Sequence, residues 1–322
     1  MAGWHRPRLV DDHRQAAAPP QIDSLLARIE YAGPGHTYSD LTVARGKALC
    51  ITCPVALQFE WRRIADWVAY HSLLGVDCFV LFIDESKLAF GSAAALSVLL
   101  AAPTVKLFRC PRSDGSDGVR NKPFALIKGL ERMRPHVRPR AYMYIDVDEY
   151  VAVRADLLPR DSSIRGALVR MADRVPGDGV YLHRWQYGTS GFDAPPSLTR
   201  TPEFALLTSR YGVNAYGKML LRLGRGVRLE NMHTIRSNPN VSIRLADGKR
   251  VNPAYYYVDS AAMQSSRRQP LSLNHFNTGS RQECLDKSRH TGFQGARNRR
   301  GSPQERTRAP HSASALSAQC TL

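Results

Sequence analysis

Between residues 48 and 145 of this 322-residue chain, short apolar runs take turns with stretches of helical spacing. Ala48–Cys53 is an apolar run of strand length. Trp61–Leu74 places Ile64, Trp67, Val68 and Leu74 at helical intervals ahead of Gly75. Cys78–Ile83 is a second apolar run, closed by Asp84-Glu85-Ser86. The pattern then predicts a helix over Ala93–Leu100, a strand over Val105–Phe108, a helix over Phe124–Met133 and a strand over Ala141–Ile145. Strand–helix alternation at this spacing belongs to an α/β domain with a mostly parallel sheet flanked by helices. Ligands of such sheets bind at the carboxyl ends of the strands, so the residues just after each apolar run matter most. Past about residue 150 the alternation weakens into Tyr and Trp runs, Pro pairs and longer loops, read as mixed structure that completes a site.

The sharpest local feature is Tyr142-Met143-Tyr144-Ile145-Asp146-Val147-Asp148-Glu149-Tyr150, an apolar strand that ends in three carboxylates within four positions. If strand geometry persists, Asp146 and Asp148 project to one side and Glu149 to the other. Two carboxylates on one side repel each other unless a cation lies between them. Hard divalent cations take oxygen ligands, and Mg²⁺ typically combines one or two carboxylates with substrate phosphates. The economical reading is a metal–diphosphate site, and the bland one is a solvated acidic turn. Aspartate-nucleophile phosphohydrolases also carry Asp-x-Asp on a strand. They place it near the start of the domain with Thr or Val at the fifth position, where this chain has Tyr150.

Lys plus Arg number 45 against 28 Asp plus Glu, a formal net charge of +17. Such an excess favours nucleic acid, anionic lipid or phosphate-bearing substrates, and makes a nucleic-acid-binding protein the second reading. The basic residues are spread from Arg109 to Arg140 and through the tail, however. No zinc-finger, helix-turn-helix or RNA-recognition signature accompanies them, and no specific nucleic-acid partner is expected. With 43% hydrophobic and 23% charged residues the chain is neither fully disordered nor collagen-like. Its six cysteines are too few for a disulfide framework. Cys50 and Cys53 form a lone C-x-x-C inside an apolar run and read as buried core residues.

Residues 1–45 read as a loose N-terminal arm with a short helix at Ile22–Ile29, 46–295 as one folded domain, and 296–322 as a disordered basic tail. No signal peptide is visible in Met1–Pro20. The uncharged stretch Leu88–Val105 reads as a buried helix leading to a strand rather than as a membrane span.

Taken in order, several segments resemble one family. Phe59-Glu60-Trp61 through Tyr70-His71 to Gly75-Val76 resembles the opening of the GT-A-fold glycosyltransferases of family 92 (the former DUF23 group) and their family-2-like relatives. Ile145-Asp146-Val147-Asp148-Glu149-Tyr150 is similar to their Asp-x-Asp-Glu-Phe/Tyr motif. His183-Arg184-Trp185-Gln186-Tyr187-Gly188-Thr189-Ser190-Gly191 resembles their Trp-x-x-Phe-Gly-Ser-Ser-Gly segment. Gly217-Lys218 resembles their Lys-containing strand. Leu273-Asn274-His275-Phe276, then Ser280 and Glu283 through Lys287 to Gly292, resembles their closing pattern. The match runs over about residues 48–292 and is specific as a set.

The resemblance implies a GT-A-like fold, that of the nucleotide-diphospho-sugar transferases. It also implies a metal-dependent, hexosyltransferase-like enzyme. Its cofactor would be Mn²⁺ or Mg²⁺, its donor a nucleotide sugar (UDP-sugar favoured), and its acceptor a glycan or glycoconjugate hydroxyl. Asp148 matches the acid that binds metal directly, and Asp146 the one nearer the ribose and the metal's waters. His275 is the preferred histidine ligand over His233, and His71 is read as structural. Glu60 and Asp84, just past the first two strands, are placed for the nucleotide, and Lys122 and Lys218 for the diphosphate. Asp193 is the candidate base of an inverting transfer, with Glu203 the alternate, and Trp185 and Tyr187 could stack on a sugar. Family members are commonly Golgi membrane proteins, although no anchor is evident in this chain.

Overall fold

A computed structural model describes residues 20–31, 49–85, 88, 91–110, 141–154, 165–187, 210–222, 240–251, 269–276 and 282–283. The chain opens with α1 (Pro20–Leu26) and β1 (Glu30–Tyr31). The alternation follows as β2 (Leu49–Val55), α2 (Leu57–Glu60), α3 (Ile64–Leu73), β3 (Cys78–Asp84), α4 (Ser92–Ala101), β4 (Val105–Cys110) and β5 (Ala141–Tyr144). Then come β6 (Glu149–Val153), α5 (Ala167–Arg174), β7 (Gly179–Tyr187), β8 (Arg210–Arg222), β9 (Ile243–Leu245), β10 (Arg250–Val251) and β11 (Leu271–His275). The expected strands and helices up to residue 145 are present within a few residues, except that Phe124–Met133 lies outside the described residues. The helix expected from Trp61 begins at Ile64, because α2 and a turn through Trp61–Arg63 occupy the stretch after β2.

All strands join one mixed, mostly parallel sheet in the order β1-β4-β3-β2-β5-β8-β7-β11-β6, with β9 on β7 and β10 on β9. The run β4-β3-β2-β5 is parallel throughout. The order grows outward from β2 to β3 and β4 on one side, then resumes with β5 on the other. That reversal is the topological switch point of a doubly wound α/β sheet, where a crevice opens outside the carboxyl ends of the strands. Beyond β5 the antiparallel β8 reverses the direction. β7 pairs with β8, β11 lies parallel to β7, and β6 closes the path antiparallel to β11.

The strand path bends back around α3. Trp67 on α3 is fully buried. Its ring meets Phe79 of β3 at 5.8 Å, while its Nε1–H donates to the Glu149 carbonyl at the start of β6, 2.8 Å away. One indole therefore touches a strand on each flank of the sheet. Tyr70 donates its hydroxyl to the Val151 carbonyl at 2.6 Å, adding a second tie from α3 to β6. At the far end of α3, Gly75 takes φ +101°, and a Cβ there would meet Gly166 Cα at 2.8 Å. This close approach lets the Gly166 and Leu168 N–H groups, at the start of α5, cap the Leu73 and Leu74 carbonyls at 3.1 Å each.

Two departures from the sequence reading have simple causes. Within the stretch expected to be a loose arm, the short helix expected at Ile22–Ile29 is present as α1, and it leads into β1, which was not expected. Ile22, Leu26 and Ile29 are buried in the core, and β1 covers the edge of β4. Cys50 is not a plain core residue, because it forms a disulfide with Cys78. Cys50 and Cys53 are three apart on one strand and so face opposite ways, whereas Cys50 and Cys78 are register partners on neighbouring strands. Cys53 is a buried free thiol. Among the described residues, no helix is long and apolar enough to cross a membrane.

His71 is structural, as read from the sequence, and it gives the fold a pH signature. It is fully buried, with Nδ1 2.9 Å from the Trp67 carbonyl and Nε2 accepting the Val151 N–H at 3.3 Å. These partners require a neutral ring with its proton on Nδ1. Burial pulls its pKa down to about 3, and that of the buried His183 to about 4. Above the unfolded value of about 6.5 neither state binds the extra proton, so the full stability is present. As pH falls through 6.5 the unfolded chain takes up a proton that the folded chain refuses. Stability then drops by up to about 1.4 kcal/mol per pH unit for each histidine. His71→Gln is expected to make the loss between pH 6 and 4.5, measured by urea unfolding, shallower by about one proton's worth. An unchanged slope would refute the assignment.

Candidate active site

The acid-ended strand stops at Tyr144, and the residues after it form a locked turn rather than more strand. The Glu149 N–H donates to the Asp146 carbonyl at 2.9 Å. In return the Glu149 carboxylate accepts the Asp146 N–H, also at 2.9 Å. Glu149 thus bends back over its own turn and is fully buried. The side-to-side alternation expected of three acids on a continuing strand does not apply, because the backbone turns at Asp146.

Charge inside the turn is balanced by two cations from the antiparallel half of the sheet. Lys218 lies on β8, opposite Leu182 of β7. Its side chain has 0% exposure, and its Nζ sits 3.0 Å from Asp146 Oδ2 and 3.3 Å from Glu149 Oε2. The ammonium also lies 4.7 Å from the centre of the Tyr144 ring. Arg184 on β7 reaches Glu149 Oε1 at 3.2 Å. Two carboxylates and two cations therefore share a site largely shut off from water. Burial alone would push the Lys218 pKa down, but Asp146 and Glu149 outweigh it and raise it, keeping the ammonium charged. Asp146 keeps a third of its side chain open. Burial raises its pKa, and Lys218 pulls the other way without cancelling the rise.

Asp148 points elsewhere. The antiparallel pairing of β11 with β6 sets His275 directly opposite Glu149. There His275 Nε2 stands 3.5 Å from Asp148 Oδ1, and the Phe276 N–H donates to the Asp148 carbonyl at 2.8 Å. His275 Nδ1 is buried without a hydrogen-bond partner. The three residues expected to hold a metal are thus not gathered as one set, because Asp146 is turned onto Lys218. Among the described residues no group of three or more His, Cys, Asp or Glu side chains could hold an ion. Asp148 and His275 do stand about as far apart as two neighbouring ligands of one divalent ion at about 2.1 Å.

Of the remaining expected residues, Glu60 and Asp84 lie at the carboxyl ends of β2 and β3. Glu60 Oε2 accepts the Ala56 N–H at 2.6 Å, closing the first turn of α2. Asp84 is the last residue of β3 and half-buried. Lys218, expected at the diphosphate, is instead sealed beneath the turn. Trp185 is buried, while Tyr187 is half-buried. Lys122, Asp193, Glu203 and His233 lie outside the described residues.

Sequence reasoning assigned no role to Glu149 or Arg184. The signal for Glu149 was its place three residues after Asp146, the spacing at which a side chain can lock a turn. It also missed Arg63, at the N-terminus of α3, which forms an ion pair with Glu283 and so ties the closing segment to the opening helix. Burial would lower the Arg63 pKa, but Glu283 together with Tyr150 and Asp148 outweighs it and raises it.

No family model matches the chain, and no curated protein matches it. Among solved structures the chain is similar to TarS 1-349 of S. aureus, at 8% identity over 55% of this chain and 47% of that one, with a TM-score of 0.30. It is similar to the mannosyltransferase Ktr4p of S. cerevisiae in complex with GDP, at 11% identity over 60% and 57%, with a TM-score of 0.26. It is similar also to the galactosyltransferase LgtC in complex with donor and acceptor sugar analogs, at 12% identity over 71% and 87%, with a TM-score of 0.29. The chain spans about half the length of the first of these. The family-92 resemblance rests on the sequence motifs.

The buried network makes a stability prediction. Lys218→Met leaves two carboxylates facing Arg184, and removing one member of a buried charge set costs about 3–5 kcal/mol. Adding Glu149→Gln restores one acid against one cation. The double variant is expected to be more stable than Lys218→Met alone by at least about 1 kcal/mol in urea unfolding. Additive losses would show that Lys218 and Glu149 do not act together.

Proposed function

We propose that this chain is a GT-A-like glycosyltransferase that moves a sugar from a nucleotide-diphosphate donor to a hydroxyl of a glycan or glycoconjugate. The observation that carries the reading is the position of the acid turn. It follows β5 beside β2, at the switch point where α/β sheets bind nucleotides, and it is held rigid from below. The family resemblance of the same segments supports it.

In this reading Glu60 and Asp84 face the nucleotide, Lys122 meets the diphosphate, and Asp146 meets the ribose. Lys218 acts from beneath by fixing Asp146. Asp148 and His275 would hold a divalent metal, Mn²⁺ or Mg²⁺, whose remaining positions suit diphosphate oxygens. When bound, such an ion neutralises the charge that develops on the departing nucleoside diphosphate. Asp193 takes the proton from the acceptor hydroxyl as its oxygen bonds to the anomeric carbon. The bond from that carbon to the diphosphate breaks on the opposite side, which inverts the centre. The Cys50–Cys78 disulfide supports an oxidising compartment, in keeping with a Golgi or secretory location.

Calorimetric titration of UDP and GDP with and without Mn²⁺ tests the donor site. The expected outcome is metal-dependent binding of one nucleotide, UDP favoured, weakened about 100-fold or more by Asp148→Asn at unchanged thermal stability. Metal-dependent binding that survives in Asp148→Asn would remove Asp148 from the metal.

A second variant tests the base. Asp193→Asn is expected to lower transfer by about 10²–10⁴-fold while leaving nucleotide binding as in the wild type. Loss of nucleotide binding in this variant would place Asp193 on the donor side instead.

A further inference from the structure

A second ion pair lies beside the acid turn, on side chains with no assigned part in holding the donor. Arg63, at the N-terminus of α3, pairs with Glu283, and the two side chains are only 12% and 18% exposed. Arg62, its neighbour in the chain, turns away and lies over the Trp61 ring, 5.0 Å from its centre. Asp66, on the first turn of α3, is exposed, where water and salt screen its charge. The Arg63–Glu283 pair is screened far less, and the Asp148 carboxylate is among the groups whose charge acts on the Arg63 guanidinium.

Backbone tethers hold the pair in place against Asp148. α3 is bound to the start of β6 by Trp67, whose Nε1–H donates to the Glu149 carbonyl at 2.8 Å. The Phe276 N–H donates to the Asp148 carbonyl at 2.8 Å, and Glu283 follows Phe276 a short way along the chain. Arg63 and Glu283 therefore reach the turn from two directions, each through an element tied to its backbone. On the other side of Asp148, His275 Nε2 stands 3.5 Å from Oδ1.

Resting on the glycosyltransferase reading and its metal, we propose that Glu283 and Arg63 are a positioning pair that sets how strongly Asp148 and His275 take a divalent cation. Neither side chain touches the ion. A guanidinium and a divalent cation that act on one carboxylate also repel each other, and they do so strongly where little water screens them. Glu283 gives Arg63 an anion of its own, which holds the guanidinium in place and offsets its charge. Removing the Glu283 charge leaves Arg63 uncompensated beside the metal position. Removing the Arg63 charge leaves Glu283 uncompensated there instead. The two halves of this ion pair thus act on a bound cation with opposite sign. A pair that only tied α3 to the closing segment would lose the same tie whichever half was removed.

The test titrates Mn²⁺ alone into the full chain and reads the unbound ion by electron paramagnetic resonance, with thermal unfolding as the check on the fold. Asp148→Asn identifies the site by losing the ion. Glu283→Gln, which keeps the shape but not the charge, should weaken Mn²⁺ binding about tenfold or more. Arg63→Met should tighten it about threefold or more. The double variant, with neither charge, should return to within about threefold of the wild type. Weakening by both single variants, a double variant no better than Glu283→Gln, or wild-type affinity throughout overturns the proposed role. The transferase reading then stands as long as Asp148→Asn loses Mn²⁺. If the wild type binds no Mn²⁺, or Asp148→Asn binds it as the wild type does, the metal assignment falls and this role falls with it. Should Glu283→Gln fail to fold, Arg63→Met decides the matter, since tighter binding upholds the role and weaker or unchanged binding overturns it.

Discussion

A fully buried lysine determines the shape of the site. Lys218 has no contact with water, yet it carries a charge that must be answered within hydrogen-bonding distance. Asp146 and Glu149 answer it, and both belong to the same short turn. The turn cannot open without stranding the ammonium, and β8 cannot slide along β5 without drawing it away. Register, turn geometry and charge placement are thus one constraint. Arg184 takes the second Glu149 oxygen and extends that constraint to β7.

The return of the sheet around α3 explains how residues far apart in sequence reach that turn. β6 leaves the turn directly and is held by Trp67 and Tyr70 of α3. β11 then pairs with β6 and delivers His275 and Phe276 to Asp148. The Arg63–Glu283 ion pair closes the same circuit one step later in the chain. The carboxyl end of β5 is therefore rimmed by the parallel half on one side and by side chains from residue 184 onward on the other.

The parallel half was legible in the sequence because its signals are local. Apolar runs, helical spacing and Gly75 each report on a few neighbouring residues, and they located β2, α3, β3, α4, β4 and β5. The acid turn was legible as a site for the same reason. Its internal wiring was not, because Glu149 was weighed as the odd carboxylate of a strand, whereas backbone turning at Asp146 folds it inward. Lys218 was found as a motif lysine but assigned to the surface of the site, since nothing local distinguishes a buried lysine from a solvated one. The Cys50–Cys78 pair was missed for a related reason. Spacing along one strand draws attention to Cys53, while the bond depends on the register between two strands. The short helix expected at Ile22–Ile29 is present as α1, whereas β1 escaped because Glu30 and Tyr31 gain their meaning only from the edge strand they pair with.

The wiring also reassigns the roles of the charged residues. A net charge of +17 invites the view that any lysine near an acid motif is there for a phosphate. Lys218 cannot serve in that way where it stands, since its ammonium already faces two carboxylates and an aromatic ring with no exposed surface. In the proposed reading, its influence on an anionic donor runs through what it does to Asp146. It keeps that carboxylate fixed and its charge largely compensated, so Asp146 presents an oriented acceptor without a full negative charge aimed at a diphosphate. Asp148, placed beside a histidine, is then the acid of the turn whose chemistry can turn toward a cation. Splitting the acids in this way lets one short turn anchor itself in a dry core while, in the proposed reading, it faces an anionic ligand.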